Sequence, residues 1–329
     1  MTGADPASSP PADDGPGTAR SAADGRGRDG SADAAAAAAD VDADADADLD
    51  VDPRFAGATD CHVHLMPGRL MAAIRDALND AAGWEFPHPT DRAGIERVLG
   101  AHGVRRYLAL PYAHRPGIAR GLNDWVLDAA ADSSMAVPFA TVHGDDDVGA
   151  VVREAFEAGA RGLKFQCPVQ ECGPADPRLD PAFELAAEYD RPILFHAGTA
   201  PMFRDSPHVG ADRFREFVAS YPEVRACSAH MGTFEWEAFV EIARANESVY
   251  LDTCFAMATV VGDYVDFDPS VIPDSVFEDL AGRVMYGSDF PNMPHAYVRE
   301  REGLLDRDLS EGAFEALFRG AAANFLGET

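Results

Sequence analysis

The stretch "MAVPFATVHGDDDVGAVVREAFEAGARGLKFQC", residues 135–167, contains the unit that decides the fold. It begins with an apolar run at 135–142 and ends with a second one at 161–167, and an amphipathic helical pattern lies between them at 147–160. Apolar strands that alternate with helices are typical of parallel strands buried on both faces. The stretch therefore predicts a β-α-β unit.

The same alternation continues over the whole chain from Pro53 onward. Six further strands are predicted at 58–65, 104–112, 191–198, 224–232, 249–255 and 283–290. Helical patterns lie between them, as at 211–221, and a last one covers 310–326 with Ser310 as its N-cap. Eight units over about 275 residues match a (β/α)8 TIM barrel. An open doubly wound sheet is the alternative, but no G-x-G-x-x-G follows the first strand, which weakens a nucleotide-binding function.

The first 52 residues differ from the rest, because they consist of Ala, Asp, Gly, Ser and Pro with almost nothing large to bury. Such a composition predicts a disordered acidic tail at 1–52, followed by a single barrel domain at 53–329. The tail carries a net charge of −10, which leaves −19 of the total −29 for the barrel. The acidity is therefore a property of the whole chain.

With 56 acidic against 27 basic residues, the chain lacks the basic surface that nucleic-acid binding needs. An Asp-rich, Lys-poor surface suits a protein that stays hydrated in concentrated salt, where screening reduces self-repulsion. We infer a halophilic cytoplasm, with a biased base composition as the alternative explanation.

Compartment and partners follow from what the sequence does not contain. No apolar run approaches the roughly 18 residues of a membrane span, and the N-terminus does not read as a signal peptide. Five cysteines without dense spacing suit free thiols in a reducing compartment. We expect a cytoplasmic protein that acts on a small molecule and does not bind membranes, and a homo-oligomer is compatible with the sequence.

Side chains that bind metals lie at the carboxyl ends of four predicted strands. They are His62 and His64 on the first, His196 on the fifth, His230 on the sixth and Asp289 on the eighth. The active site of a (β/α)8 barrel lies at this end of the strands, and residues two apart on a strand point to the same side. We therefore expect these side chains to meet at the barrel mouth.

Imidazole and carboxylate groups in one site suit Zn²⁺ first, with Mn²⁺ and Fe²⁺ as alternatives. Three histidines and one aspartate leave a position for water, whose pKa a bound ion lowers toward about 7. We assign the acceptance of that water's proton to Asp289, and the polarisation of a substrate oxygen or the transfer of a proton to His230. Asp252, at the end of the seventh strand, is predicted to orient a ligand imidazole.

Six segments resemble the successive motifs of the amidohydrolase superfamily. They are "TDCHVHLMPG", "GARGLKFQCP", "DRPILFHAGTAP", "VRACSAHMGTFEW", "SVYLDTCF" and "RVMYGSDFP". They are most similar to the amidohydrolase 2 branch, which includes the decarboxylase acting on aminocarboxymuconate semialdehyde. The resemblance, from about Thr59 to Phe325, implies a (β/α)8 barrel with His230 as a catalytic residue and one divalent metal held by His62, His64, His196 and Asp289.

The fourth strand is where the chain departs from this pattern. Members of the branch often carry a histidine two residues after the strand's lysine, where this chain has Gln166. Binuclear relatives carry a carboxylated lysine on this strand, but the neighbours of Lys164 resemble the mononuclear branch. Because Lys164 is the only lysine of the chain, we predict that it binds a substrate carboxylate, with Arg69 and Arg115 as further candidates.

The remaining candidates are assigned structural or surface roles. Cys61 is predicted to be a small core residue. The other histidines are predicted to be solvated or at the surface: His88, His102, His114, His143, His208 and His295.

Three functions remain open at this point. The first is hydrolysis of a small-molecule amide, lactone or related bond by metal-activated water. The second is non-oxidative decarboxylation of a small unsaturated or aromatic acid, which an arginine aimed at a carboxylate beside the metal would favour. The third is a catalytically silent barrel used for binding, against which the intact set of ligand residues argues.

Overall fold

The computed structural model describes residues 50–199 and 201–328. Its centre is a set of eight strands, each of which lies within the span predicted for it. They are β1 Ala58–His64, β2 Val104–Leu110, β3 Ala136–Pro138, β4 Leu163–Phe165, β5 Ile193–Phe195, β6 Ala226–Ser228, β7 Val249–Asp252 and β8 Val284–Met285.

The strands pair in parallel and in chain order, as β1-β2-β3 and as β4-β5-β6-β7-β8. Two parallel bridges join these two sheets, Ala140 to Leu163 between β3 and β4, and Val63 to Phe290 between β1 and the segment after β8. The sheet thus closes on itself, and the prediction of a (β/α)8 TIM barrel is confirmed. The predicted tail at 1–52 lies almost entirely outside the described residues.

Helices follow the strands and cover the barrel. They are α1 Gly68–Ala82, α2 Arg92–Ala101, α3 Ala119–Ala131, α4 Val148–Glu157, α5 Cys167–Gln170, α6 Asp180–Glu188, α7 Ala211–Ser220, α8 Trp236–Ala245, α9 Val261–Tyr264, α10 Asp274–Asp279, α11 Val298–Leu305, α12 Glu311–Glu315 and α13 Ala321–Leu326. A π-helical turn, Ala316–Gly320, connects α12 to α13, so the last predicted helix is continuous but not uniform. The side chain of Ser310 accepts a hydrogen bond from Ala313 N, which confirms this residue as the N-cap.

The apolar core has two parts. The larger lies between the strands and the helices, and phenylalanines such as Phe165, Phe183 and Phe195 meet there at centroid distances of 5.4–6.0 Å. The smaller joins residues of several strands to the last helix and contains Cys61 and Phe325, so the prediction of Cys61 as a core residue is confirmed. All five cysteines are buried and free. In the part of the chain that the structure describes, no helix has both the length and the apolar character needed to cross a bilayer.

Candidate metal centre

Three of the predicted ligands converge at the ends of β1 and β8. Asp289 Oδ1 lies 3.1 Å from His64 Nε2 and 3.5 Å from His62 Nε2. One ligand atom from each of the three residues lies within 4.8 Å of the other two. Two imidazole nitrogens and a carboxylate oxygen form a donor set that suits a divalent transition metal.

Backbone pairing between the first and last strands brings these side chains together. Asp289 N donates to His62 O at 2.9 Å, and His64 N donates to Phe290 O at 2.8 Å. Asp289 itself adopts a φ of 69°, a left-handed conformation that is uncommon outside glycine. The ligand geometry therefore depends on the closure of the barrel.

The buried side chain of Asp60 reinforces this junction. Its carboxyl accepts hydrogen bonds from the Ser288 hydroxyl at 2.6 Å, from the Tyr297 hydroxyl at 2.8 Å, and from the backbone N–H groups of Ser288 and His62, each at 3.1 Å. One side chain thus connects β1 to the residue that precedes Asp289.

Hydrogen bonds also orient the two histidines of β1. His62 Nδ1 lies 2.9 Å from Asp252 Oδ2, and His64 Nδ1 lies 3.1 Å from Leu110 O. Because a carbonyl or carboxylate oxygen accepts, each Nδ1 carries the proton and each Nε2 keeps its lone pair toward Asp289. The contact with His62 is the one predicted for Asp252 as the group that orients a ligand imidazole, and that role stays a prediction.

The charge states suit metal binding. Burial, together with the charge of Lys164, lowers the pKa of His62 well below its usual value, so this ring is neutral. Burial raises the pKa of the Asp289 carboxyl, but the contact with His64 and the electrostatic influence of His62 and His230 outweigh burial and lower it to about 2. The neutral imidazole of His62 thus faces an ionised carboxylate, as ligation requires.

His196 and His230 form a second group beside the first. His196 Nδ1 lies 3.1 Å from His230 Nε2 and 3.1 Å from Gln166 Nε2. His230 Nδ1 lies 3.0 Å from Cys254 O. Among residues 50–199 and 201–328, His196 Nε2 is buried without a hydrogen-bond partner. This open nitrogen fits a ligand role, although His196 does not belong to the convergent set of His62, His64 and Asp289.

The candidate substrate-binding cations are not found at the cavity. Lys164 is fully buried, and its Nζ lies 3.0 Å from His62 Nε2, where burial lowers the pKa of the amine. Arg69 is exposed at the start of α1, and Arg115 is exposed in the loop after β2. None of the three lines the cavity described below.

Cys254 is a residue that the sequence analysis missed. Its Sγ lies 3.0 Å from His62 Nδ1, 3.1 Å from His230 Nδ1 and 2.7 Å from Asp252 Oδ1. It therefore connects the ring of a candidate ligand to the ring of the candidate catalytic histidine. The signal was its position two residues after Asp252, on the same strand end.

Four histidines predicted to be solvated or at the surface are in fact buried. They are His88, His102, His143 and His295. His295 Nε2 lies 2.9 Å from Glu300 Oε1, and His88 Nε2 lies 2.7 Å from the carbonyl oxygen of His295. The prediction was wrong for His88 and His295 because their imidazoles find buried acceptors, and for His102 because its ring packs against Tyr297 between α2 and β2.

A cavity of about 110 Å³ opens beside these groups. Its polar wall includes His64, His196, His230, Asp289 and Gln166, and its apolar wall includes Trp84, Phe86, Tyr112, Phe203 and Phe255. No arginine or lysine is among the described residues that line it. This is smaller than the cavities of about 150 Å³ that hold one benzene molecule, so the size limits the compound to at most a single ring.

The amidohydrolase family model matches residues 59–327, so the chain belongs to the amidohydrolase family, whose members are metal-dependent enzymes. No curated protein matches the chain. Among solved structures, the chain is similar to an uncharacterised TIM-barrel protein from Bordetella bronchiseptica. The two are 15% identical with a TM-score of 0.62, over 82% of this chain and 98% of that one.

Two further structures have similar coverage and differ in activity. The chain is 14% identical to a 5-carboxyvanillate decarboxylase from Novosphingobium aromaticivorans with bound manganese, at a TM-score of 0.58 over 85% of this chain and 99% of that one. It is 17% identical to a candidate 2-pyrone-4,6-dicarboxylic acid hydrolase from Pseudomonas putida, at a TM-score of 0.57 over 83% and 98%. Family and donor set together support a divalent metal cofactor.

Proposed function

We propose that this enzyme is a metal-dependent hydrolase that cleaves an amide, lactone or related bond in a small molecule built on a single ring. The observation that carries the proposal is the position of His64 and Asp289, which belong to the convergent ligand set and also line the aromatic-walled cavity. A ring held by Trp84 and Phe255 would bring its polar bond against these two residues.

We assign metal binding to His62, His64 and Asp289, with His196 as the fourth ligand through its open Nε2. Zn²⁺ is the first choice for this donor set, and Mn²⁺ or Fe²⁺ are alternatives. When bound, such an ion polarises a carbonyl group and lowers the pKa of water. A single ion is expected. Binuclear relatives hold their second ion with a carboxylated lysine on the fourth strand, whereas the amine of Lys164 contacts His62 Nε2 at 3.0 Å.

The chain's own residues supply the proton transfers. Asp289 is ionised at neutral pH and lines the cavity, so it can accept a proton there. His230 donates through Nδ1 to the carbonyl oxygen of Cys254, and its basic nitrogen is therefore Nε2. Once released from its contact with His196 Nδ1, this nitrogen can carry a proton from the cavity wall to a leaving group.

Decarboxylation of an aromatic acid is the second candidate, and it is favoured by the aromatic wall and by the 5-carboxyvanillate and 2,6-dihydroxybenzoate decarboxylases among the similar structures. The cavity offers a carboxylate no arginine or lysine from the described residues, and Asp289 adds a negative charge. Hydrolysis of a neutral compound therefore remains the first proposal.

One experiment separates the two functions and tests the cofactor. The protein is expressed with Zn²⁺ or Mn²⁺, its metal content is measured, and it is offered aromatic lactones, amides and hydroxybenzoic acids. We expect about one ion per chain and the release of acid from a lactone or amide. Release of carbon dioxide from a hydroxybenzoate, without hydrolysis of neutral compounds, would favour the lyase. A protein that is metal-free after metal-replete expression would contradict both.

We also propose a halophilic cytoplasmic setting, a small-molecule substrate, and no nucleic-acid or membrane partner. The support is the net charge of −29 together with the presence of a single lysine in the chain. Self-association into a homo-oligomer is compatible with this proposal and can be measured by light scattering in concentrated salt.

A further inference from the structure

Gln166 stands directly after β4, on the wall of the cavity, and its backbone is firmly held. Gln166 N donates to Gln170 Oε1 at 2.6 Å. Gln170 in turn donates through Nε2 to Val142 O at 2.8 Å and to Thr141 Oγ1 at 3.3 Å. These hydrogen bonds fix the Gln166 backbone and so restrict where its side-chain amide can lie.

Only one end of that amide has a partner. The end assigned as Nε2 lies 3.1 Å from His196 Nδ1, whereas the end assigned as Oε1 is buried without a hydrogen-bond partner among the described residues. A buried polar atom without a partner is costly, and such atoms on a cavity wall commonly meet a ligand. The nature of the ligand depends on whether the open end is a donor or an acceptor.

The histidines beside it decide this question. The carbonyl oxygen of Cys254 can only accept, so His230 carries its proton on Nδ1, and its Nε2 is left as an acceptor. His230 Nε2 faces His196 Nδ1 at 3.1 Å, and two lone pairs would repel, so His196 Nδ1 carries the proton.

A protonated His196 Nδ1 requires an acceptor from Gln166. The two ends of an amide are distinguished by their hydrogen bonds, so the oxygen belongs on the His196 side and the NH₂ group is the open end. The same arrangement leaves the lone pair of His196 Nε2 free, as the proposed ligand role requires. Donors and acceptors thus alternate consistently from Cys254 to the cavity.

We propose that Gln166 is a specificity-determining residue whose NH₂ group donates a hydrogen bond to a carbonyl oxygen of the substrate. This inference deepens the proposed hydrolase function and rests on it, because the carbonyl concerned is that of the bond to be cleaved. Where members of the branch often carry an imidazole, this chain offers a neutral amide fixed by His196.

Binding of two isosteric compounds tests the proposal without any turnover. Acetophenone carries a carbonyl oxygen, and α-methylstyrene carries a CH₂ group in its place. Each is titrated into Zn²⁺-loaded protein, and the fluorescence of Trp84 on the cavity wall reports binding. Neither compound can be hydrolysed, so a failure of this test is distinct from a failure of the proposed reaction.

We expect Gln166→Leu to weaken acetophenone binding roughly tenfold, the effect of one lost hydrogen bond, and to leave α-methylstyrene within about twofold. Gln166→Glu keeps the shape and loses the donor, so it should also weaken acetophenone binding. Asn292→Leu removes another amide from the same cavity and should leave both compounds unaffected. Unchanged binding of α-methylstyrene shows that the variants are folded.

Two outcomes would overturn the proposal. In the first, Gln166→Leu keeps the wild-type ratio of the two dissociation constants. In the second, Asn292→Leu weakens acetophenone binding relative to α-methylstyrene binding as much as Gln166→Leu does. That result would show that the preference for acetophenone reflects the general polarity of the cavity rather than one donor.

Discussion

Replacing Asp252 by asparagine should weaken metal binding although Asp252 is not itself a proposed ligand. Its carboxyl is fully buried and accepts at both oxygens. Oδ1 accepts from His230 N at 2.9 Å and from Cys254 Sγ at 2.7 Å, and Oδ2 accepts from His62 Nδ1 at 2.9 Å. An amide offers one acceptor and one donor at these positions, so Asp252→Asn must set one donor against another.

The new NH₂ group is best tolerated at the position of Oδ2, where it faces His62 Nδ1. At Oδ1 an NH₂ group would face a backbone N–H and a thiol, whereas His62 can move its proton from Nδ1 to Nε2 and become the acceptor. That shift removes the lone pair that faces Asp289, which the ion requires. Loss of an orienting partner typically weakens metal affinity by about 10- to 100-fold, equivalent to roughly 1.4–2.7 kcal/mol.

The assay is a competition for Zn²⁺ between the protein and a chromophoric chelator. Asp279→Asn is the matched control, because Asp279 is exposed and forms a surface ion pair with Arg244 at 2.8 Å. Circular dichroism verifies that both variants are folded. If Asp252→Asn binds Zn²⁺ as tightly as the control does, His62 Nε2 is not a ligand and the reasoning fails.

Three further predictions follow. His64→Ala should lose metal and activity together, whereas His230→Ala should keep most of its metal and lose about 10²- to 10⁴-fold in rate; equal metal loss in both would make His230 a ligand. Burial raises the pKa of Glu300 well above its usual 4.5, so the stability it contributes is complete below about pH 4.5 and is lost as pH rises through the raised pKa. Glu300→Gln should match wild type in denaturant unfolding near pH 4.5 and exceed it near pH 8, and a constant difference would contradict this. Raising KCl from about 0.1 M to about 2 M should raise the melting temperature, and a fall would argue against the halophilic proposal.

The sequence predicts where the strands lie and which strand ends carry the candidate site. Both depend on the local pattern of apolar runs and of the residues that follow them. The apolar run that forms β5 and the histidine that follows it are neighbours in the chain, and the barrel brings all such ends to one face. Contacts across the barrel carry no local pattern. Lys164, for example, was predicted to bind a substrate carboxylate, but its Nζ contacts His62 Nε2 of β1 at 3.0 Å.

The buried loop residues escaped prediction for a related reason. Glu300 is an acidic residue at the start of a helix, and nothing in its neighbourhood indicates burial. In the folded protein it accepts from Phe255 N at 3.1 Å and contacts His295, so it supports a residue of the cavity wall. Phe255 has a φ of 57°, a conformation that local sequence does not favour and that this tertiary contact helps to hold.

The two groups of the site are held by different means, and this difference makes their roles separable. Backbone pairing and Asp60 fix His62, His64 and Asp289, because all three stand where β1 meets the end of β8. His196 and His230 are held by side-chain and carbonyl acceptors, so the position of their protons depends on Gln166 and Cys254. A change at Gln166 should therefore alter substrate recognition before it alters metal affinity, and a change at Asp252, which accepts from His62 and from the backbone of His230, should alter both.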